Sequence, residues 1–279
     1  MEHRPYRSAL YIPASKKRAL EKARGLPVDV ILFDLEDAVS PDEKVAARAT
    51  LAAALSESYG VRQRIVRINA LDTAWGPDDV KAVAQMVCDG ILLPKVDHTD
   101  HVDALADMIP DVPIWAMMET PLGILNAASI AAHPRIAGFV LGTNDLAKDL
   151  GSRTRAALMT ALQLCVLAAR AHGIVVLDGV YNAFKDDAGL RVEATEGRDM
   201  GFDGKTLIHP AQVAIANAVF GPSEDDVALA KRQIAAFEEA AAAGQGVAVV
   251  GGRIVENLHI VTARATLAKA DAITALETS

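Results

Sequence analysis

The chain has 279 residues, of which 51% are hydrophobic and 23% charged, and its formal net charge is -8. This composition is typical of a globular protein with a large core, and the negative charge argues against nucleic acid as a partner. Two cysteines without metal-ligand spacing, no apolar leader and no run of about 18 apolar residues predict a cytoplasmic protein with no membrane span.

Short apolar segments alternate with helical patterns along the first 221 residues. The eight strand segments are Arg7–Pro13, Val28–Leu35, Arg64–Asn69, Gly90–Val96, 114–118, Ile136–Leu141, Ile174–Asp178 and Gly204–Ile208. The helical patterns between them are Ala14–Arg24, Pro41–Ser58, Asp78–Val87, Thr99–Met108, a segment from Pro121, Arg155–His172, Leu190–Met200 and a segment to Val219. This alternation predicts a (β/α)₈ barrel over residues 1–221. A doubly wound open sheet is the alternative, although no GxGxxG motif follows the first strand.

Residues 222–279 are not needed for a barrel. A capping residue at Ser223 begins a helical pattern that runs to Ala243, and a hairpin pattern and a final helical pattern follow it. We expect this C-terminal extension to act as a lid or as an oligomer contact.

Two carboxylates stand at equivalent places in neighbouring βα units. Glu119 ends the fifth strand segment, and Asp145 comes just after the sixth. Because the carboxyl ends of parallel strands meet at one edge, both side chains are expected in one crevice. Oxygen ligands without nearby His or Cys suit Mg²⁺, whereas the alternative is that each acid stabilises a helix N-terminus.

Further polar residues follow the same strand-end register, namely Glu36, Asp37, Arg67, Asn69, Lys95 and Asp178. Arg67 alternates with apolar residues, where an unpaired charge is unfavourable. Its partner is therefore either a structural carboxylate such as Glu36 or a substrate anion. Asp34, inside the second strand, is predicted to be a buried hydrogen-bond acceptor. For Lys95 and Asp178, the sequence leaves both a functional role and a packing role open.

Motifs along nearly the whole chain resemble those of one family. They are Arg7-Ser-Ala-Leu-Tyr-Ile-Pro, Phe33-Asp-Leu-Glu-Asp, Arg67-Ile-Asn, Leu93-Pro-Lys, Met118-Glu-Thr, Gly142-Thr-Asn-Asp-Leu and Gly204-Lys-Thr-Leu-Ile-His-Pro. In this order and spacing they resemble the citrate lyase β-subunit-like (CitE-like) CoA-ester lyases of the HpcH/HpaI aldolase superfamily.

The resemblance implies a Mg²⁺-dependent lyase, with one Mg²⁺ per subunit, that reversibly cleaves a 3-hydroxyacyl-CoA. Typical substrates are malyl-CoA and citramalyl-CoA, which give acetyl-CoA and a 2-oxoacid, glyoxylate or pyruvate. It also implies a homotrimer or homohexamer.

The same resemblance assigns roles to individual residues. The implied metal ligands are Glu119 and Asp145, and the implied catalytic residues are Arg67, Glu36, Asp37 and Glu256. Coenzyme A, as part of the substrate, is implied to contact Tyr11, Lys16, Lys17 and Arg18, and the substrate carboxylate the amides of Gly142 and Thr143. Glu256 stands where the family often has Asp, in a tail that reaches the neighbouring subunit's site.

Three other functions stay open at this point. The same site suits a malyl-CoA thioesterase, in which water attacks the thioester. The chain also resembles the β subunit of a citrate lyase complex, which acts on an acyl-carrier-protein thioester. The third is a CoA-binding barrel without catalytic activity, in which Glu119 and Asp145 would no longer act as metal ligands.

Overall fold

The computed structural model describes residues 4–278, so the predictions that involve residues 1–3 and 279 lie outside the described residues. Eight parallel strands close into a barrel in chain order, with β1 hydrogen-bonded to both β2 and β8. The strands are β1 (Ser8–Pro13), β2 (Val30–Asp34), β3 (Gln63–Arg67), β4 (Gly90–Leu93), β5 (Ile114–Met118), β6 (Ile136–Leu141), β7 (Val175–Asp178) and β8 (Gly204–Leu207). The predicted (β/α)₈ barrel is confirmed, and the open-sheet alternative is wrong.

Helices follow the strands in the predicted order. They are α1 (Lys17–Ala23), α2 (Lys44–Leu55), α3 (Gly76–Val83), α4 (Thr99–Ala106), α5 (Pro121–Leu125), α6 (Ala127–Ala131), α7 (Thr143–Asp149), α8 (Met159–His172), α9 (Asp187–Met200) and α10 (Val213–Phe220). Short 3₁₀ turns precede three of them, at Pro41–Glu43, Arg155–Leu158 and Pro210–Gln212.

The short helix α7 is not among the predicted helices. It spans only seven residues and buries Leu146 alone, so it carries too little apolar periodicity to be found in the sequence. Its position matters because its first turn brings Asp145 to the carboxyl end of the barrel.

Large side chains fill the interior of the barrel. The buried cluster consists of Ala9, Val30, Leu32, Ile65, Leu92, Trp115, Met117, Val140 and Leu177. A Cβ at Gly138 on β6 would clash with the indole ring of Trp115, so only glycine fits at this position. A filled interior leaves the strand ends as the place where a ligand site can form.

The chain divides into two compact units, of which Tyr6–Asn217 contains the barrel. The other includes residues 218–278, with helices α11 (Glu224–Ala242) and α12 (Asn257–Thr278) and a hairpin of β9 (Ala248–Val250) and β10 (Arg253–Val255). Its own small core contains Ala240, Ala248, Val255 and Ile260. The helical C-terminal extension is thus present, whereas the boundary at residue 221 and the lid role stay predictions.

No helix within residues 4–278 is both long and apolar enough to cross a membrane.

Candidate active site at the carboxyl ends of the strands

Arg67 is held by a carboxylate on the neighbouring strand. Asp34 and Arg67 end β2 and β3 and lie side by side in the strand register. Nε of Arg67 donates to Oδ1 of Asp34 at 2.8 Å, and Nη2 donates to Oδ2 at 2.6 Å, with both residues buried. A two-point bond of this kind fixes the guanidinium plane. The sequence left the partner of Arg67 open. In the structure the main partner is Asp34, which was predicted to be a buried acceptor.

The remaining guanidinium nitrogen faces the loop after β2. Nη1 of Arg67 lies 3.0 Å from Oε2 of Glu36, although the two are not aligned for a hydrogen bond, and donates to Oδ2 of Asp37 at 3.2 Å. Asp34 also accepts the amides of Glu36 and Ala38, at 2.8 and 3.1 Å. The buried carboxylate of Asp34 therefore fixes both Arg67 and the loop that carries Glu36 and Asp37.

A buried lysine supports this loop from below. Nζ of Lys44 donates to the backbone carbonyls of Leu35 and Glu36, at 3.0 and 2.9 Å, and lies 5.0 Å from the ring centroid of Trp75. Lys44 is not among the residues predicted from the sequence. Its signal is faint, because a lysine at the start of an Ala-rich helix is ordinarily a solvated side chain.

Burial controls the protonation of Glu36. Removal from water raises its pKa from 4.5 to about 7, against the opposing effect of the Arg67 charge and with a smaller contribution from Asp37. A carboxylate with a pKa near neutrality is suited to exchange protons at neutral pH.

Glu119 presents one free oxygen in a buried position. Its Oε1 accepts the backbone N–H of Lys95 at 2.9 Å, whereas its buried Oε2 has no hydrogen-bond partner among the described residues. Burial, followed by the charge of Glu36, raises the pKa of Glu119 to about 8. A side chain at Gly142 would clash with this carboxylate, so glycine is required there by the close approach.

Asp145 completes the acidic surroundings from the first turn of α7. It lines a cavity of about 290 Å³ together with Tyr11, Asp37, Arg67 and Thr143. Its charge raises the pKa of Glu119, which places the two predicted metal ligands in one electrostatic environment. The two carboxylates are therefore brought to the same mouth, as the strand register predicts.

The five mouth carboxylates are Asp34, Glu36, Asp37, Glu119 and Asp145. Three cationic side chains interact electrostatically with them, those of Arg67, Lys95 and Lys44, so full ionisation would leave an excess of two negative charges. This excess, the hard oxygen donors and the unpartnered Oε2 of Glu119 fit a divalent cation. No group of three or more His, Cys, Asp and Glu side chains arranged for a metal occurs within residues 4–278. Mg²⁺ is commonly held by one or two carboxylates with water or substrate.

Tyr11 carries a hydroxyl at the floor of the cavity. Its ring packs under the guanidinium of Arg67, 4.9 Å from ring centroid to Cζ, and its hydroxyl lies 4.0 Å from Sδ of Met117. A thioether is a weak acceptor, so this O–H is poorly satisfied. Burial raises the pKa of Tyr11, with Arg67 opposing, and the phenol therefore stays protonated as a donor.

The residues predicted to hold coenzyme A and the substrate carboxylate are only partly available. Lys16 pairs with Glu43 at 2.9 Å, whereas Lys17 and Arg18 are exposed at the start of α1. The amide of Gly142 donates to the carbonyl of Met118 at 3.1 Å, so it is already engaged, and its contact with a substrate carboxylate stays a prediction. This bond lies just past the last pair of the β5–β6 ladder, Met118 and Leu141, and Thr143 begins α7 beyond it.

Asp178 belongs to a buried ion network. Arg155 donates to its two carboxylate oxygens at 3.0 Å each, and Nζ of the buried Lys205 donates to Oδ2 at 2.8 Å. Asp178 therefore has a packing role.

Glu256 lies in the second unit, where β10 meets α12. Its amide donates to Nδ1 of His259 at 3.0 Å, and its side chain is exposed. The carboxylate has no hydrogen-bond or ion-pair partner among residues 4–278. Its predicted entry into a neighbouring subunit's site stays a prediction.

Known proteins resemble this chain along nearly its whole length. The sequence pattern of the HpcH/HpaI aldolase/citrate lyase family matches residues 7–210. A (3S)-malyl-CoA thioesterase of Cereibacter sphaeroides is 66% identical over 279 residues, covering 99% of this chain and 98% of that protein. An L-malyl-CoA/beta-methylmalyl-CoA lyase of the same species is 34% identical, covering 98% and 96%. The structure of CitE from Mycobacterium tuberculosis in complex with magnesium, acetoacetate and coenzyme A has a TM-score of 0.84 at 30% identity, covering 96% and 99%.

Proposed function

The chain belongs to the HpcH/HpaI aldolase/citrate lyase family, and from that membership we propose that it is a (3S)-malyl-CoA thioesterase that releases malate and coenzyme A. One observation carries this choice. The chain is 66% identical to a thioesterase of this specificity over 99% of its length, compared with 34% for a malyl-CoA lyase. The sequence motifs resemble those of the lyases first, and the higher identity to a thioesterase favours the stated alternative.

Glu119 and Asp145 hold Mg²⁺ in this proposal. The support is the free, buried Oε2 of Glu119, the half-buried carboxylate of Asp145 and the excess of negative charge at the mouth. When bound, Mg²⁺ acts as a Lewis acid that orients and polarises oxygen atoms of the acyl group. The magnesium in the CitE complex supports the choice of this cation.

Glu36 acts as the general base. Its pKa of about 7 allows it to take a proton from water at neutral pH, and its Oε2 faces Nη1 of Arg67 at 3.0 Å. The water oxygen forms a bond to the thioester carbon, and the proton moves to Glu36. The C–S bond then breaks, the electron pair leaves with sulfur, and the proton is returned to the coenzyme A thiolate. The products are malate and the free thiol.

Arg67 and Tyr11 stabilise the negative charge that develops on the carbonyl oxygen. Arg67 always carries its charge, and Asp34 fixes its plane, so its contribution is electrostatic and needs no reorganisation. The protonated hydroxyl of Tyr11 supplies a second donor from the cavity floor. Lys17 and Arg18, both exposed, are the cationic side chains that we assign to the coenzyme A phosphates.

Carbon–carbon cleavage is the second candidate reaction, because the same groups support it. A base in the position of Glu36 can also take the hydroxyl proton of malyl-CoA, which would release glyoxylate and the enolate of acetyl-CoA. The 34% identity to a lyase over 98% of the chain supports this second reaction.

Product analysis separates the candidates. Purified protein is incubated with (3S)-malyl-CoA and Mg²⁺, and the products are identified by mass spectrometry. Malate with free coenzyme A is expected. Glyoxylate with acetyl-CoA would identify a lyase, turnover only of a carrier-protein thioester would identify a citrate lyase subunit, and no turnover of any thioester would leave a binding barrel. Comparing turnover of citramalyl-CoA and methylmalyl-CoA with that of malyl-CoA in the same assay shows which acyl group the enzyme prefers.

The assembly and the place of Glu256 belong to the same proposal. We assign the C-terminal extension as a lid that a neighbouring subunit contributes in a trimer or hexamer, with Glu256 as an acid or base there. The exposed, unengaged carboxylate of Glu256 supports this role, because a side chain committed to capping α12 would have a local backbone partner. A cytoplasmic location agrees with free cysteines at positions 88 and 165.

A further inference from the structure

Lys95 has an unusual backbone conformation at the edge of the site. It is the only residue other than glycine within residues 4–278 that has a positive φ, of 52°. In this left-handed region the Cβ of an L-residue crowds its own backbone, and glycine is the residue that adopts it freely. Strain of this kind is retained where the surroundings require it, and it often lies at functional sites.

The amide of Lys95, which has this conformation, is bonded to a proposed metal ligand. Lys95 follows the end of β4, and its N–H donates to Oε1 of Glu119, beyond the end of β5, at 2.9 Å. The bond satisfies one oxygen of Glu119 and leaves Oε2 buried and without a partner among the described residues. The clash that any side chain at Gly142 would make with Glu119 shows that the carboxylate is confined on its other side as well.

We propose that Lys95 is a positioning residue for Glu119, whose left-handed backbone fixes the carboxylate with Oε1 bonded to the amide and Oε2 directed at Mg²⁺. This inference rests on the metal site assigned under the proposed function. Partners that orient a metal ligand typically change metal affinity by about 10- to 100-fold when they are lost.

The side chain of Lys95 does not impose the backbone conformation. Among residues 4–278 its Nζ forms no ion pair with a carboxylate, although the charges of Glu36, Glu119, Asp145 and Asp37 all raise its pKa. The ammonium is exposed, whereas the amide is engaged. Substitutions at this position can therefore separate the effect of the ammonium from that of the backbone amide. All of them remove the ammonium, but only some of the new residues accept a positive φ.

The test compares three variants at this one position. Lys95→Gly and Lys95→Asn accept the left-handed conformation without the ammonium, whereas the β-branched side chain of Lys95→Val opposes it. Binding of Mg²⁺ alone is measured by isothermal titration calorimetry at pH 7.5, and circular dichroism checks the fold. We expect Kd within about threefold of wild type for Gly and Asn, and at least about tenfold weaker for Val. Lys95→Ala, whose backbone is less restricted, is expected between them and replaces Val if that variant does not fold.

Each outcome decides a different point. Wild-type affinity in Lys95→Val, or in Lys95→Ala where Val fails to fold, overturns the inference, because the conformation would then be irrelevant to the metal. Equal weakening in Gly and Val also overturns it, since the ammonium rather than the amide would be responsible. A lower Tm without a change in Kd indicates a purely structural role. If the wild-type protein itself binds no Mg²⁺, the proposed metal site fails and this inference fails with it.

Discussion

Glu36→Gln replaces a carboxylate that lies 3.0 Å from Nη1 of Arg67 with a neutral amide of nearly the same size. The pKa of Glu36 is about 7 in the folded protein, compared with 4.5 for the free side chain. If Glu36 is the base, the ionised fraction limits kcat/KM, which should rise about tenfold between pH 6 and pH 8 in the wild-type protein. In Glu36→Gln this rise should disappear along with most of the activity.

Protein stability should change with pH in the opposite direction. Because the pKa of Glu36 is raised on folding, the folded state holds the proton more tightly, and stability is lost as the pH rises from 4.5 through 7. The wild-type protein should lose about 2 to 3 kcal/mol from this group between pH 5 and pH 8. Glu36→Gln cannot lose it, so the difference in unfolding free energy between the two proteins should grow by that amount.

Both effects are measured with a matched control. Steady-state kinetics with saturating Mg²⁺ give kcat/KM against pH, and urea unfolding without divalent metal gives the stability. Asp37→Asn, which removes an exposed carboxylate on the same guanidinium nitrogen, should keep both pH dependences with their midpoint at a slightly lower pH, because the charge of Asp37 contributes to the raised pKa of Glu36. The reasoning is refuted if Glu36→Gln keeps the wild-type rise in kcat/KM, or if the stability difference between the two proteins does not change with pH.

The remaining predictions concern the metal, the arginine, the coenzyme A contacts and the tail. Glu119→Gln should abolish Mg²⁺ binding in calorimetry and activity together; turnover at the wild-type rate would exclude a metal ligand there. Arg67→Lys should lower kcat by about 10²- to 10³-fold, because it loses the two-point bond to Asp34 and the donor facing the site. The double variant Lys17→Ala, Arg18→Ala should raise KM for malyl-CoA with little change in kcat, by a factor that shrinks at high salt; a salt-independent, unchanged KM argues against the contact. Glu256→Ala should be nearly inactive and regain part of its activity when its subunits are exchanged with those of Arg67→Lys; a mixture no more active than its parents, despite confirmed exchange, contradicts a shared site.

The candidate site was predictable to the extent that it follows the ends of strands. Glu36, Arg67 and Glu119 each end or follow an apolar run, so local hydrophobicity alone assigned them to the barrel mouth. Asp34 was predicted to be buried, but its bond to Arg67 was not, because a pairing across 33 positions depends on the register of β2 against β3. The helix α7 was missed because one buried leucine in seven residues leaves no periodic pattern.

The sequence by itself determined the barrel, the family and the set of acids at the mouth. Alternating apolar and helical segments are local properties, and a motif is readable wherever it occurs in the chain. Only the tertiary structure decided how these groups behave. The pKa of Glu36 depends on desolvation by neighbouring elements, the amide of Gly142 donates to the carbonyl of Met118, and the amide of Lys95 donates to a carboxylate just beyond the next strand. Each of these results from the approach of segments that are distant in sequence, where burial and geometry rather than residue type set the chemistry.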